Sequence, residues 1–256
     1  MPVQLSIIIP AYNEAARLPR HLDEIRDYLA RSGPADYEVL VVDDGSVDGT
    51  DREVRRRSET WPELRLIRHE GNRGKGAAVR TGMLTSSGSL LLFCDADGAT
   101  PIREEARFRD IIESGRAELV VGSRRSILVR RAWHRRLCGR AFSAAVRWMV
   151  PNPASDSQCG FKMFLRGPGL DLFSNGAEDA YLFDVELLAM AAIRGYRVAE
   201  VEIDWEEVPG SKVRLVRDSW RMLSGLPRVR RSVRSRRHPP PIGEAAVPTT
   251  SAGGSA

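Results

Sequence analysis

Apolar residues in the first hundred positions come in short unbroken runs, and three of these runs stop at a cluster of polar side chains. Residues 5–9, 39–42, 64–68 and 90–94 therefore read as strands. Between them the period changes. Leu18, Leu22, Ile25 and Leu29 recur at helical spacing and predict a helix over 13–30 with Asn13 as its cap, while 49–59 and 74–86 fill the other crossovers. Strands alternating with helices predict an α/β fold with a mainly parallel central sheet flanked by helices and a ligand site at the carboxyl ends of the strands. Tyr12-Asn13-Glu14, Asp43-Asp44-Gly45-Ser46 and Asp95-Ala96-Asp97 all fall at such ends.

Past residue 100 the pattern gives a helix over 103–114 and a strand over 118–122, then turns irregular and basic through Trp148. Residues 151–158 read as a loop, 160–165 as a strand, 182–194 as a helix, and 197–204 as a strand carrying Val198, Val201 and Ile203. A basic helix is expected over 212–232, weakened at Pro227. From His238 onward, Pro, Gly, Ser, Thr and Ala without apolar periodicity predict disorder. The organisation expected is one domain over 1–225, divided near residue 125, and a tail over 226–256 that is first basic and then disordered.

Composition narrows the classes. With 256 residues, 42% hydrophobic and 29% charged, the chain can bury one sizeable core. Cys94, Cys138 and Cys159 match neither a zinc spacing nor a disulfide framework, so a reducing cytoplasm is the expected compartment. The start does not read as a signal peptide, and no stretch reaches the roughly 18 apolar residues of a spanning helix, so any membrane contact is expected to be peripheral. The net charge of +5 is concentrated in 124–147 and 214–237. Arginines over 228–237 raise a nucleic-acid-binding reading, but the segment lacks interleaved aromatics and the strand ends are acidic, so no nucleic-acid partner is expected. Arginine so dominates that Lys75, Lys162 and Lys212 are the only lysines, each a compact, rotatable point charge rather than a planar fork.

Three motifs carry candidate chemistry. Asp95 and Asp97, alternate carboxylates at a strand end, can hold a hard divalent ion such as Mg²⁺ or Mn²⁺ together with phosphate oxygens, although a solvated turn has the same pattern. Asp43 and Asp44 in a tight turn fit helix capping, a phosphotransfer receiver or a nucleotide-binding edge equally well. Residues 72–76, Asn-Arg-Gly-Lys-Gly, allow close backbone approach at a helix start and supply cations suited to a diphosphate, but lack the P-loop spacing.

Taken in order, Ile8-Ile9-Pro10-Ala11-Tyr12-Asn13-Glu14, the acidic turn at 41–50, the glycine-rich run at 71–82 and the Asp-Ala-Asp triplet resemble family 2 glycosyltransferases over roughly the first 125 residues. The resemblance implies the GT-A fold and a nucleotide-sugar donor. It places Pro10 and Tyr12 by the donor, Glu14 and Asp43 with Asp44 on the nucleoside side, Lys75 near the donor, and Asp95, Ala96 and Asp97 at the metal and diphosphate. Gly122-Ser123-Arg124, residues 156–164, Phe183-Asp184-Val185-Glu186 and residues 208–212 look like the dolichyl-phosphate glucosyltransferase subgroup, with Ser157 where that subgroup commonly has threonine. This second likeness implies UDP-glucose as donor and a polyprenyl phosphate as acceptor, with GDP-mannose or a soluble acceptor as alternatives.

A phosphate monoester, with a second pKa of about 6, is already mostly dianionic at neutral pH. Direct in-line displacement with inversion is therefore expected, without need of a strong base. Arg124, Arg131 and Arg135 are the candidates for the acceptor phosphate, Asp156 for orienting the acceptor or acting as base, and Gln158 for the sugar, while Phe161 reads as core. Asp97, Asp156 and Arg124 form the expected catalytic set. The eukaryotic members of the subgroup carry an N-terminal membrane anchor, and no such anchor is expected here. The basic, apolar stretch 126–150 is expected to lie on an anionic membrane surface instead, at its cytoplasmic face.

Overall fold

A computed structural model describes residues 2–124, 146, 148–151, 153–208 and 215–235, with side chains in the last segment from 224 to 234. Seven strands form one sheet: β1 (Leu5–Ala11), β2 (Tyr37–Asp43), β3 (Leu64–Arg68), β4 (Leu90–Cys94), β5 (Leu119–Ser123), β6 (Phe161–Leu165) and β7 (Val198–Glu202). Their order is β3-β2-β1-β4-β6-β5-β7. The helices are α1 (Leu18–Ser32), α2 (Thr50–Ser58), α3 (Lys75–Thr85), α4 (Glu104–Glu113), α5 (Arg166–Asn175), α6 (Phe183–Arg194) and α7 (Leu215–Ser235).

The central strands are apolar throughout because both faces of the sheet are covered. Along β1, Leu5, Ile7 and Ile9 enter the layer packed by Leu18, Leu22 and Ile25 of α1 and Phe108 of α4. Ile8 points the other way, toward Val79 and Met83 of α3 and, across the sheet, the α5 and α6 side chains Phe173 and Leu188. Each such buried leucine or isoleucine contributes about 1.5–3 kcal/mol, so the two faces together fix the register.

Four pairings in the sheet are parallel, and β6 runs antiparallel to both β4 and β5, with Met163 opposite Leu92 and Val120. The sheet is thus mainly parallel, as the alternation predicted, but strand polarity at β6 has no signature in hydrophobicity. Its reversal has a functional consequence: the amino end of β6 lies beside the carboxyl end of β4, where Phe161 pairs with Cys94.

The structure departs from the sequence pattern at three places. Asn13 does not cap α1, which starts at Leu18 after the N-cap Arg17. Asn13 instead adopts a left-handed φ of 54° and ties two loops together, its N–H donating to Ser46 Oγ (2.8 Å) and its Oδ1 accepting from Val47 N–H (2.9 Å). The helix α5 escapes the sequence pattern because Gly167, Pro168 and Gly169 occupy its first turn, where a missing N–H is tolerated. Helix α7 continues through Pro227 to Ser235, held by Leu226, Val229 and Val233, which are buried at helical spacing.

Behind the carboxyl end of β4, His21 of α1 is 2% exposed, with Nε2 3.9 Å from Cys94 Sγ. Burial pushes its pKa down to about 4, against the ordinary 6.5. A histidine buried neutral destabilises the fold as pH drops below 6.5, because the unfolded chain takes up the proton first; the loss is complete near the folded value. His21→Leu should therefore lose less stability than the wild type on acidification from pH 7 to 4, by up to about 3 kcal/mol, measured by urea unfolding. Identical pH slopes would contradict a neutral buried imidazole.

Candidate active site

In the sheet, β1 is followed on one side by β2 and β3 and on the other by β4, so the topological switch point lies between β1 and β4. The ladder joining them ends at Ile8 and Phe93. Pro10, which has no N–H to offer a neighbouring strand, comes just after that end on β1. The chain thus opens a crevice at the place where the polar clusters emerge.

On the β2 side the two adjacent aspartates do different work. Asp43 is fully buried; its Oδ1 accepts from Ser46 N–H (3.0 Å), and Arg68 Nε lies 3.3 Å from Oδ2. Asp44 is spent on the glycine-rich loop. Its Oδ1 accepts from Arg73 N–H (2.9 Å) and Oδ2 from Gly74 N–H (2.8 Å). His69 stands behind it, Nδ1 2.7 Å from Oδ1 and Nε2 3.0 Å from Thr81 Oγ1 of α3. Gly74 has φ 104°, and a Cβ there would lie 2.3 Å from the Asp179 carbonyl, so only glycine lets the loop reach the start of α3. The clip delivers Lys75, whose Nζ lies 2.6 Å from Asp95 Oδ1. Burial opposes the charge on Lys75, but Asp95 and Asp184 outweigh it and hold its pKa above the ordinary value.

Asp95 and Asp97 follow β4. Asp97 Oδ1 accepts from Ala99 N–H (3.1 Å), and burial together with the neighbouring charge of Asp95 lifts its carboxyl above the usual range. Arg17 is forked onto Glu14 (Nη2 to Oε1 2.5 Å, Nε to Oε2 2.7 Å) with Nη1 3.7 Å from Asp97 Oδ2. Two crowded carboxylates with a surplus of negative charge suit a hard divalent cation that takes the rest of its ligands from phosphate oxygens. Among the described residues no group of three or more His, Cys, Asp and Glu is placed to hold a metal ion. Tyr12 is 40% exposed at the end of β1, and Ala96 is buried between the two carboxylates.

Across the crevice, Arg124 follows β5 and forks onto Asp156, Nε to Oδ2 and Nη2 to Oδ1 both at 2.7 Å, with its own N–H donating to Oδ2 at 3.1 Å. Its guanidinium lies 5.8 Å over the Trp205 ring. Burial would raise the pKa of Asp156, but the Arg124 bonds and charge prevail and hold it below the usual carboxylate range. Glu200 of β7 fixes the same loop by accepting from the N–H groups of Ser155 (3.0 Å) and Asp156 (3.2 Å). The turn closes on the acidic pair: Asp95 N–H donates to Gly160 O (3.1 Å), and a Cβ on Gly160 would fall 1.9 Å from Asp95 Oδ2. Gln158 Nε2 donates to Tyr181 O at 3.5 Å. Phe161 is core, edge-on to Phe108 at 5.1 Å.

The structure therefore gathers Pro10, Tyr12, Glu14, Asp43, Asp44, Lys75, Asp95, Asp97, Arg124, Asp156 and Gln158 around the carboxyl end of one sheet. Arg131 and Arg135, Lys212, Cys138 and most of the basic stretch 126–150 lie outside the described residues, as does the tail from 236. Sequence reasoning missed Arg17, His69 and Glu200. Arg17 stands three residues from Glu14, the spacing of a helical ion pair, but His69 and Glu200 meet partners far along the chain and leave no local signal.

The model of the family described as Glycosyl transferase family 2 matches residues 6–178. A dolichyl-phosphate beta-glucosyltransferase from Dictyostelium discoideum is 36% identical over 242 residues, covering 89% of this chain and 74% of that protein. One from Homo sapiens is 36% identical over 231 residues, covering 82% and 69%. Among solved structures, mannosyl-3-phosphoglycerate synthase from Rubrobacter xylanophilus superposes with a TM-score of 0.69 at 20% identity, covering 91% of this chain and 75% of that one. Glucosyl-3-phosphoglycerate synthase from Mycobacterium tuberculosis, in complex with UDP, gives 0.66 at 19%, covering 90% and 80%. These likenesses establish the GT-A fold, and with the match to the family model over most of its length the chain belongs to glycosyl transferase family 2 and is a glycosyltransferase.

Proposed function

We propose that this enzyme transfers glucose from UDP-glucose, with inversion, to a polyprenyl phosphate of the dolichyl phosphate type at the cytoplasmic face of a membrane. The observation that carries the reading is the state of Asp156. It is the carboxylate of the acceptor loop, and Arg124 holds both of its oxygens and keeps its pKa low. A carboxylate so held is a poor general base, which suits an acceptor that arrives already ionised, as a phosphate does. The relatives from Dictyostelium discoideum and Homo sapiens, named for dolichyl phosphate and glucose, support the same acceptor and sugar.

Asp95 and Asp97 would hold Mg²⁺ or Mn²⁺; the Mycobacterium tuberculosis neighbour was solved with Mn²⁺ and UDP-glucose. Such an ion, when bound, neutralises charge developing on the leaving diphosphate. The chain's own cations would share that work: Lys75 stands at Asp95 and Arg17 near Asp97, beside a diphosphate seated between β1 and β4. Pro10, Tyr12, Glu14, Asp43 and Asp44 form the nucleoside side, Asp44 indirectly by holding the loop that carries Lys75. The fork onto Asp156 uses Nε and Nη2 of Arg124 and leaves Nη1 for a phosphate oxygen of the acceptor. Gln158 faces the sugar, and Arg131 and Arg135 complete the acceptor grip.

Membrane attachment is proposed to be peripheral. Among the described residues no helix is long and apolar enough to cross a membrane. At the end of the basic stretch Trp148 is 85% exposed between the buried Val146 and Val150, as an interfacial anchor would be.

Transfer of radiolabel from UDP-glucose, and in parallel from GDP-mannose, to a polyprenyl phosphate in detergent tests the reading. Organic-extractable glucose that requires Mg²⁺ or Mn²⁺ and vanishes with EDTA is expected; labelled mannose lipid, or label passing only to soluble acceptors, would replace it. Asp97→Asn should lower kcat by about a hundredfold or more with an unchanged melting temperature, and full activity would remove the residue from the site. Arg124→Ala should raise KM for the lipid phosphate while leaving KM for UDP-glucose within about twofold; equal losses on both would indicate a purely structural arginine.

A further inference from the structure

Lys162 is 1% exposed in the middle of the central sheet, paired in register between Phe93 of β4 and Val121 of β5. An ammonium there gives up its hydration, and a buried ion pair is weak evidence of stabilisation because desolvation offsets the attraction. Its bonds point elsewhere. Nζ donates to Asp184 Oδ1 of α6 (2.5 Å) and to the backbone carbonyl of Cys159 (2.5 Å). Cys159 ends the turn that begins at Asp156, closed by the bond from Cys159 N–H to Asp156 O (3.2 Å). The next residue, Gly160, is the one pressed against the Asp95 carboxylate.

We infer that Lys162, held by Asp184, is a positioning residue that sets the 156–160 turn at its height over Asp95, and so aligns the acceptor with the donor. The turn is fixed at one end by the Arg124 and Glu200 bonds to Asp156 and at the other by Asp95 N–H. Lys162 is the support from beneath. A lysine suits the position because a rotatable ammonium can meet a carbonyl and a carboxylate at once. Asp184 also links the two halves of the site. Burial raises its pKa, and the charges of Lys162 and Lys75 oppose that rise. Both ammonium groups flank the ring of Phe93, Lys75 at 5.2 Å and Lys162 at 5.7 Å. The lysine of the donor loop and the lysine under the acceptor loop therefore share one buried counter-charge.

This inference rests on the proposed lipid-phosphate acceptor for its kinetic consequence but not for its structural one, and the test separates them. The Cys159 thiol is buried and packed so closely that a Cβ on Gly122 would lie 3.0 Å from its sulfur, so its alkylation reports the turn's position without any substrate. In full-length Lys162→Met, iodoacetamide labelling of Cys159, located by mass spectrometry, should speed up by about tenfold or more, while labelling of the equally buried Cys94 stays at the wild-type rate. Affinity for UDP with Mn²⁺ should stay within about threefold, and kcat for transfer from UDP-glucose to farnesyl phosphate should fall by about a hundredfold. Lys162→Met/Asp184→Leu, which replaces the pair by apolar side chains, should recover the melting temperature but neither the Cys159 protection nor kcat. Unchanged Cys159 protection in Lys162→Met, or transfer restored in the double variant, would overturn the positioning role. Absence of lipid product from the wild type would overturn the acceptor reading, and Cys159 labelling would still decide the role of Lys162.

Discussion

Two carboxylates one residue apart, at the end of a strand buried on both faces, cannot both stay charged without compensation, and the site is organised around that constraint. The strain shows at Asp97, whose carboxyl is held above its usual range by burial and by Asp95. Lys75 reaches Asp95 from the β2 side and Arg17 approaches Asp97 from α1. Each cation is itself supported, Lys75 by the Asp44 and His69 clip on its loop and Arg17 by Glu14. Polar residues scattered over the first hundred positions thus act as one electrostatic unit. Its remaining negative charge is what a divalent ion and a diphosphate together would complete.

The 156–160 turn is tied to this unit through backbone as much as through side chains. Because β6 runs against its neighbours, its amino end lies beside the carboxyl end of β4, and the turn before it lands on Asp95. Gly160 allows a contact that any side chain would block, so the 156–160 turn and the Asp95 loop are set at a fixed separation by the sheet itself. Arg124 and Asp156 neutralise each other at the rim, and the fork holds the Asp156 carboxyl below its usual range.

Much of this was legible in the residues. Apolar runs ending in Tyr12, Asp43 and Asp95 gave the strand ends because strand period and burial are local properties. Asn13 misled because asparagine is equally at home as a helix cap and in a left-handed turn, and a contact with Ser46, far along the chain, decides between them. Asp43 and Asp44 look alike in sequence and diverge in space: one lies against Arg68 and Ser46, the other clamps the backbone of residues 73 and 74. The reversal of β6 and the burial of Lys162 could not be read, since both depend on which strands meet across the sheet. The scarcity of lysine nevertheless pointed at Lys75 and Lys162, which share Asp184.

The central claim, that Asp95 and Asp97 form a divalent-cation site completed by a nucleotide diphosphate, is tested most directly by titrating the protein with Mn²⁺ in the presence and absence of UDP and following free Mn²⁺ by electron paramagnetic resonance. One Mn²⁺ bound per chain, more tightly with UDP than without and lost in Asp95→Asn, is the predicted result. Saturable binding that is indifferent to UDP or survives Asp95→Asn, or no saturable binding with UDP present, would contradict it.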